Sequence, residues 1–364
     1  MLRRNGEKRQ KLQTRLQRRV TPLRIAMALA FALVAWRGYA RLAANPAGLP
    51  TPSDPANTAN REYFVGLAMG SPVNITIDAE DPAKAKGAAR AALVELERLD
   101  MMLSDWKASS ELSQFNRSNM IEGDVAPEFA TVLARALDVA RLTDGRFDPT
   151  VGPLVALWRA SRSSGALPDA ATLANARLQS GWSKVKVYER RVHRGSPTVQ
   201  LDFGGIGKGF GAIAALEVLR ANGCPRAIVS VAGDIAIGEP PRGELGWKVA
   251  IESAAKPEQI VVARCAVSTS GASEQFVEIN GVRYAHIVDP RTGLGATNAA
   301  RATVIGPLDA AVDALGTALS LAESDEAVDA IMARFPEYGA RLERVDSTGN
   351  ANSPRVTYHG AWRR

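Results

Sequence analysis

The stretch "LDFGGIGKGFG", Leu201–Gly211, sets five glycines and a lysine directly behind an aspartate. A run this dense in residues without a Cβ marks backbone that must approach something closely, and it invites comparison with the two familiar phosphate-binding loops. Neither fits. A dinucleotide fingerprint requires G-x-G-x-x-G between a strand and a helix, and no register of the run supplies it. A P-loop requires a glycine five residues before the one that precedes the lysine, then Ser or Thr after the lysine. Those positions hold Asp202 and Gly209.

Charge placement narrows the partners. The chain has 364 residues and a net charge of +7, but residues 1–24 alone carry nine Lys or Arg and one Glu. The basicity belongs to that tail, so the near-neutral body gives no case for nucleic-acid binding. An apolar run of twelve, Ile25–Trp36, follows between Arg24 and Arg37. It is short for a membrane span and fits the apolar core of an export signal whose basic region is the tail. Residues 1–44 are therefore expected to be an export signal or a retained N-terminal anchor. Arg18 and Arg19 leave the twin-arginine and general routes both open. The Pro-, Ala- and Asn-rich residues 45–61 read as a linker, residues 62–364 as the folded body, and the expected compartment is the periplasm.

Two cysteines, Cys224 and Cys265, make no Cys-x-x-Cys pair and no Cys/His cluster. Zinc-ribbon and thioredoxin-type chemistry is excluded, and each cysteine reads as a buried thiol. No Gly-x-Ser-x-Gly elbow supports a hydrolase nucleophile.

Periodicity gives the fold class. Apolar positions recur at helical spacing over 82–103 and again over 127–142, and helices are expected at 209–221, in "PLDAAVDALGTALSLA" and in "VDAIMARFPEYG". Alternation broken by Gly70 and Pro72 predicts two strands in "EYFVGLAMGSPVNITIDAED". Further strands are expected in "TVQLDFG", "RAIVSVAGDIAIG", "GWKVAIES" and "IVVARCAVSTSG". Asn280-Gly281 inside "QFVEINGVRYAHIV" signals a two-residue hairpin turn, and "STGN" suggests a last one. The expected class is α+β with a largely antiparallel sheet flanked by helices.

Asp313 and Thr317 lie four apart in an expected helix, which puts a carboxylate and a hydroxyl on one face. Hard cations such as Mg²⁺ take oxygen ligands of this kind. The plainer reading has Thr317 bonded to its own backbone and Asp313 solvated. His286, one of three histidines, precedes the turn "VDPRTG" and is a candidate acid or base or a surface residue. Asp148 before Pro149 can initiate a turn, and Met69 and Trp106 can stack on a flat ring or pack in a core.

These signals share an order with a known family. The blocks "MGSPVNITI", "LSDWKASSELSQFN", "GRFDPTVGPLVALW", "LDFGGIGKGFG", "SVAGDIAIG", "STSG", "HIVDPRTG" and "VDALGTAL" resemble the ApbE family of FAD:protein FMN transferases over about residues 62–345. The resemblance implies a Mg²⁺-dependent enzyme that cuts the FAD pyrophosphate, releases AMP and joins FMN through its phosphate to a Thr or Ser of an acceptor protein. It further implies Asp313, Thr317 and the Gly205 carbonyl as metal ligands. Asp202, Lys208, Met69, Trp106, Arg146, Phe147, Asp148 and His286 become FAD contacts, and His286 also a proton acceptor for the attacking hydroxyl. By the same resemblance the acceptor is an exported electron-transfer flavoprotein, as in the NosX-like branch. A periplasmic FAD pyrophosphatase and a non-catalytic FAD-binding maturation factor are the alternatives. The sequence departs from the family pattern at Ile213, where an aspartate is usual, at Ala232, where a glycine is usual, and at Ser71 in the Met-Gly-Ser block.

Overall fold

A computed structural model describes residues 60–253, 257–271, 276–297, 300–344 and 354–362. The basic tail, the apolar run, nearly all of the linker and the "STGN" turn lie outside the described residues. No helix among the described residues is long and apolar enough to cross a membrane.

The chain opens with strands β1 (Arg61–Ala68) and β2 (Ser71–Asp78), then helices α1 (Pro82–Leu103) and α2 (Glu111–Arg117), strand β3 (Glu122–Asp124), and helices α3 (Pro127–Leu142), α4 (Gly152–Ser164) and α5 (Ala170–Leu178). Strands β4 (Val185–Tyr188) and β5 (Arg191–Arg194) precede helix α6 (Gly207–Ala221). Six strands follow: β6 (Ala227–Val231), β7 (Asp234–Ile237), β8 (Trp247–Ile251), β9 (Glu258–Val262), β10 (Cys265–Ser270) and β11 (Phe276–Ile279). The chain continues with β12 (Val282–Ala285), β13 (Arg301–Gly306), helices α7 (Ala311–Ser320) and α8 (Asp325–Met332), and strands β14 (Gly339–Arg344) and β15 (Arg355–Gly360).

Local chemistry explains the best-defined elements. Pro82 and Pro127 each sit in a first helical turn, where a missing N–H costs nothing. The Asp81 side chain caps α1 by accepting from Ala83 N and Lys84 N. Helix α1 buries Ala85, Ala89, Ala92, Leu96 and Leu99 along one stripe. Both residues of the Asn280-Gly281 turn have positive φ, 53° and 75°, as a two-residue hairpin with the favoured twist requires. Met69 and Gly70 do the same between β1 and β2, at 52° and 67°.

Eight strands form one sheet in the order β1-β2-β6-β7-β10-β13-β14-β15, and every neighbouring pair is antiparallel. Helices α1 and α6 pack on β2 and β6 through Ile75, Leu96, Leu216 and Val229. Helix α7 packs on β13 and β14 in the core that also takes α3, through Leu315, Val304, Leu342 and Leu133. The β8–β9 hairpin shares a separate core with β6, β7 and β10, built on Trp247, Val249, Ile228, Ile237 and Val267. Residues of opposite parity on β6, Ile228 and Val229, thus enter different cores, as the pleat dictates. The α+β class and the antiparallel sheet are as expected.

The segment "TVQLDFG" departs from expectation. It is not a ladder strand: Gln200 makes one isolated parallel bridge to Val151. Its apolar alternation comes instead from burying Val199, Leu201 and Phe203 in the core. The Asn116 side chain stands in for a neighbouring strand, its amide bonding Leu201 O and N at 2.8 Å each. Cys224 and Cys265 are both free. Burial pushes the Cys265 thiol up to about 12, which keeps it in the unreactive protonated form.

Candidate active site

The glycine run ends where α6 begins, and α6 places Lys208 against two carboxylates from distant strands and helices. Lys208 Nζ lies 2.5 Å from Asp234 Oδ2 and 3.7 Å from Asp313 Oδ2. Ser268 on β10, register partner of Asp234 on β7, donates its hydroxyl to Asp234 Oδ1 at 2.5 Å. Asp313, in the first turn of α7, accepts from Gly209 N at 3.0 Å. That approach requires glycine, since a Cβ on Gly209 would stand 2.8 Å from Asp313 Cβ.

Two buried carboxylates against one ammonium leave one negative charge over. Asp234 is 3% exposed and Asp313 2%. Burial, then repulsion from Asp234, pushes the Asp313 carboxyl up to about 7. Burial opposes the charge on Lys208, but the carboxylates of Asp234 and Asp313 outweigh it and raise the ammonium above the usual lysine value. The cluster is therefore short of one positive charge.

Oxygen donors around it are left unused. Among the described residues the Thr317 hydroxyl, one turn along α7, makes no hydrogen bond back to its own helix, while its carbonyl accepts from Ser320 Oγ at 2.8 Å. The Gly209 N–H that would close the first helical turn on the Gly205 carbonyl goes to Asp313 instead. Gly205 itself lies against Thr317, where an added Cβ would be 3.1 Å from Thr317 Oγ1 and 3.2 Å from the Phe147 ring. A solvated Asp313 and a back-bonded Thr317 are thus both excluded by the geometry. Among the described residues no three His, Cys, Asp or Glu side chains converge as a metal cluster. A cation here would have to draw on one carboxylate, one hydroxyl, one carbonyl, and oxygens from water or ligand. That all-oxygen set suits a hard ion that keeps several waters.

The other residues singled out in the sequence take different places. Met69 reaches the centre, its side chain lying against Gly207 and Gly211 of α6, while its N–H donates to Asp100 Oδ2 at 3.1 Å. Trp106 is 59% exposed and faces Gly70 in the same turn, with Lys107 Nζ 5.2 Å from its ring centroid. Asp148 and Asp202 are buried and accept hydrogen bonds from their own neighbourhood. Asp148 accepts from Thr150 N and Oγ1 at 2.7 and 2.6 Å and from Trp182 N at 3.0 Å, and Asp202 accepts from Gly204 N at 2.7 Å. Burial pushes both carboxyls up. Arg159 Nη2 lies 4.0 Å from Asp202 Oδ2. His286 is exposed just past β12, on a loop whose Ala285 and Ile287 pack with Leu321 beyond the end of α7.

The ApbE family model matches residues 69–341, three quarters of the chain. The chain belongs to the ApbE family. A Treponema pallidum relative named FAD:protein FMN transferase is 31% identical over 301 residues, which cover 76% of this chain and 83% of the relative. A Chlamydia muridarum protein of the same name is 30% identical over 283 residues, covering 75% and 88%. Among solved structures, a mutant form of the flavin transferase ApbE from Vibrio cholerae superposes with a TM-score of 0.74 at 26% identity, covering 83% of this chain and 98% of its own. The ApbE protein of Thermotoga maritima gives 0.71 at 26%, covering 82% and 97%.

Within this ApbE-family frame, the departure at Ala232 falls where glycine would be the less strained residue. Ala232 adopts φ 56°, the left-handed conformation for which glycine is the usual choice, in the turn that delivers Asp234. Ile213 packs against the core from α6, so an apolar residue is accommodated where the family usually has a carboxylate. Sequence reasoning did not single out Ser268, Glu323 or Arg291 as site residues, nor Asp234 as the partner of Lys208. Their roles depend on contacts across 26 to 177 positions, beyond the reach of any spacing pattern.

Proposed function

We propose that this chain is a Mg²⁺-dependent FAD:protein FMN transferase, joining FMN through a phosphoester to Thr or Ser of an acceptor flavoprotein and releasing AMP. The observation that carries it is the Lys208–Asp234–Asp313 centre, one positive charge short, with unused oxygens of Thr317 and Gly205 beside it. Family membership and relatives named for this activity support the same reading.

Asp313, the Thr317 hydroxyl and the Gly205 carbonyl would hold Mg²⁺, which when bound supplies charge neutralisation at the pyrophosphate. Lys208 stabilises negative charge on the same phosphates from a site where burial strengthens its field. Met69 and Trp106 offer thioether and aromatic surface to the flavin dinucleotide, and Phe147 backs the Gly205 turn from the core. The acceptor oxygen forms a bond to the FMN-side phosphorus as the bond to the AMP oxygen breaks. His286 takes the hydroxyl proton and AMP leaves with the electron pair. Export to the periplasm, directed by residues 1–44, fits an acceptor in an exported electron-transfer system.

Given FAD, Mg²⁺ and a candidate acceptor domain, the purified protein is expected to release AMP and to leave the acceptor heavier by one FMN less water. Intact-mass spectrometry with nucleotide analysis reads both. AMP release without a mass change across several acceptors would favour the FAD pyrophosphatase reading, and neither signal would favour a passive FAD-binding maturation factor.

A further inference from the structure

One carboxylate beyond α7 joins three segments that are far apart in the chain. Glu323 Oε2 accepts from Arg146 Nη2 at 3.2 Å, and Glu323 Oε1 accepts from Arg291 Nη1. Arg291 is locked in turn by Asp289, which takes its backbone N–H at 2.9 Å, its Nε at 3.0 Å and its Nη2 at 2.8 Å. Arg291 Nη2 also reaches Leu321 O at 3.2 Å. Arg146 directly precedes Phe147, whose ring abuts Gly205. Arg291 closes the turn that follows His286. Glu323 stands three residues past the helix that carries Asp313 and Thr317.

These bridges add little to global stability, because the side chains are partly open: 19% for Arg146, 36% for Arg291 and 48% for Glu323. What they fix is relative position. Partial burial opposes the charge on Glu323, but hydrogen bonds from its own backbone N–H, Arg291 and Arg146 hold the carboxyl down to about 2. The bridge is therefore charged at any working pH.

Arg146 Nε is buried and has no hydrogen-bond partner among the described residues. The Glu323 contact to Nη2 is therefore what fixes the guanidinium among those residues.

We propose that Glu323 is a positioning residue for the transfer reaction. It holds Arg146 by Nη2, and with it the segment whose Phe147 ring abuts Gly205, and it ties the His286 loop to the same point. The segment bearing Arg146 and the loop bearing His286 then keep register with Asp313 and Thr317. This inference rests on the flavin-transfer reading.

The test compares wild type, Glu323→Gln and Glu323→Asp in the full chain. Glu323→Gln is expected to lower the kcat for acceptor labelling about tenfold, with the KM for acceptor changing less than about threefold. Tm should stay within about 2 °C. Amide exchange over residues 286–293 of the ligand-free protein should speed up about fivefold or more. Glu323→Asp, which keeps the charge, should recover part of both. Unchanged kcat and unchanged exchange in Glu323→Gln overturn the proposal. So does a rate loss matched by a fall in Tm that Glu323→Asp does not rescue, since that is what a merely structural ion pair would give. If wild type neither labels the acceptor nor releases AMP, the flavin-transfer reading fails, and unchanged exchange then overturns the tie separately.

Discussion

Replacing Asp313 with Ala is expected to abolish AMP release and acceptor labelling together, a loss on the order of 10³-fold or more, because the only carboxylate among the three proposed metal ligands is gone. Full activity in that variant would sink the metal assignment. The same residue predicts an opposite effect on stability. The folded carboxyl titrates at about 7, above the unfolded value near ~4. Folded protein therefore binds the extra proton between these values, and metal-free stability falls as pH rises through that window. Asp313→Asn removes that cost while keeping an acceptor for Gly209 N–H. At pH 8 without metal it should be more stable than wild type, by roughly 1–3 kcal/mol in urea denaturation. A cation needs the ionised form, so apparent Mg²⁺ affinity should fall about tenfold between pH 8 and pH 6, read by titration calorimetry with proton release. A pH-independent affinity would contradict the burial argument.

Lys208→Met is the second large effect. It leaves Asp234 and Asp313 buried and facing each other without a counter-charge, which should cost about 3–5 kcal/mol in the metal-free protein. Adding Asp234→Asn removes one of the two stranded charges and should recover more than half of the loss, a coupling of at least about 1 kcal/mol in the double-mutant cycle. Additive losses would mean that the 2.5 Å contact between Lys208 and Asp234 carries no energy of its own. Neither measurement involves FAD, so both test the centre independently of the reaction.

What the sequence disclosed depended on how local the cause was. The Asn280-Gly281 turn was legible because its two positive φ values follow from residue type alone. Helices α1 and α3 were legible to the residue because proline and a capping or turn signal bound an apolar stripe. Helices α2, α4 and α5 were not recognised. Helix α2 has seven residues, too few for a period to show, and α5 buries only Ala176. Helix α4 begins at Gly-Pro and buries three residues in thirteen. The strand expected over "TVQLDFG" failed because alternating burial looks the same whether the backbone pairs with a strand or with an Asn side chain. In the site, Asp313 and Thr317 shared a face by spacing, and Lys208 stood out among glycines. Asp148 and Asp202 are carboxylates used chiefly on their own loops and neighbours, a role that sequence could suggest only as a turn at Pro149.

The sheet order also governs when the centre comes into being. Strand β2 pairs with β6, whose residues lie about 150 positions later, and the hairpin of β1 and β2 has no other neighbour in the sheet. Lys208 and Asp234 are 26 positions apart, whereas Asp313 reaches Gly209 across 104. Folding dominated by such distant pairings is slow. A chain interrupted before α7 would hold Lys208 and Asp234 as a neutral pair, so the surplus negative charge, and with it the proposed competence to bind a cation, comes only with Asp313.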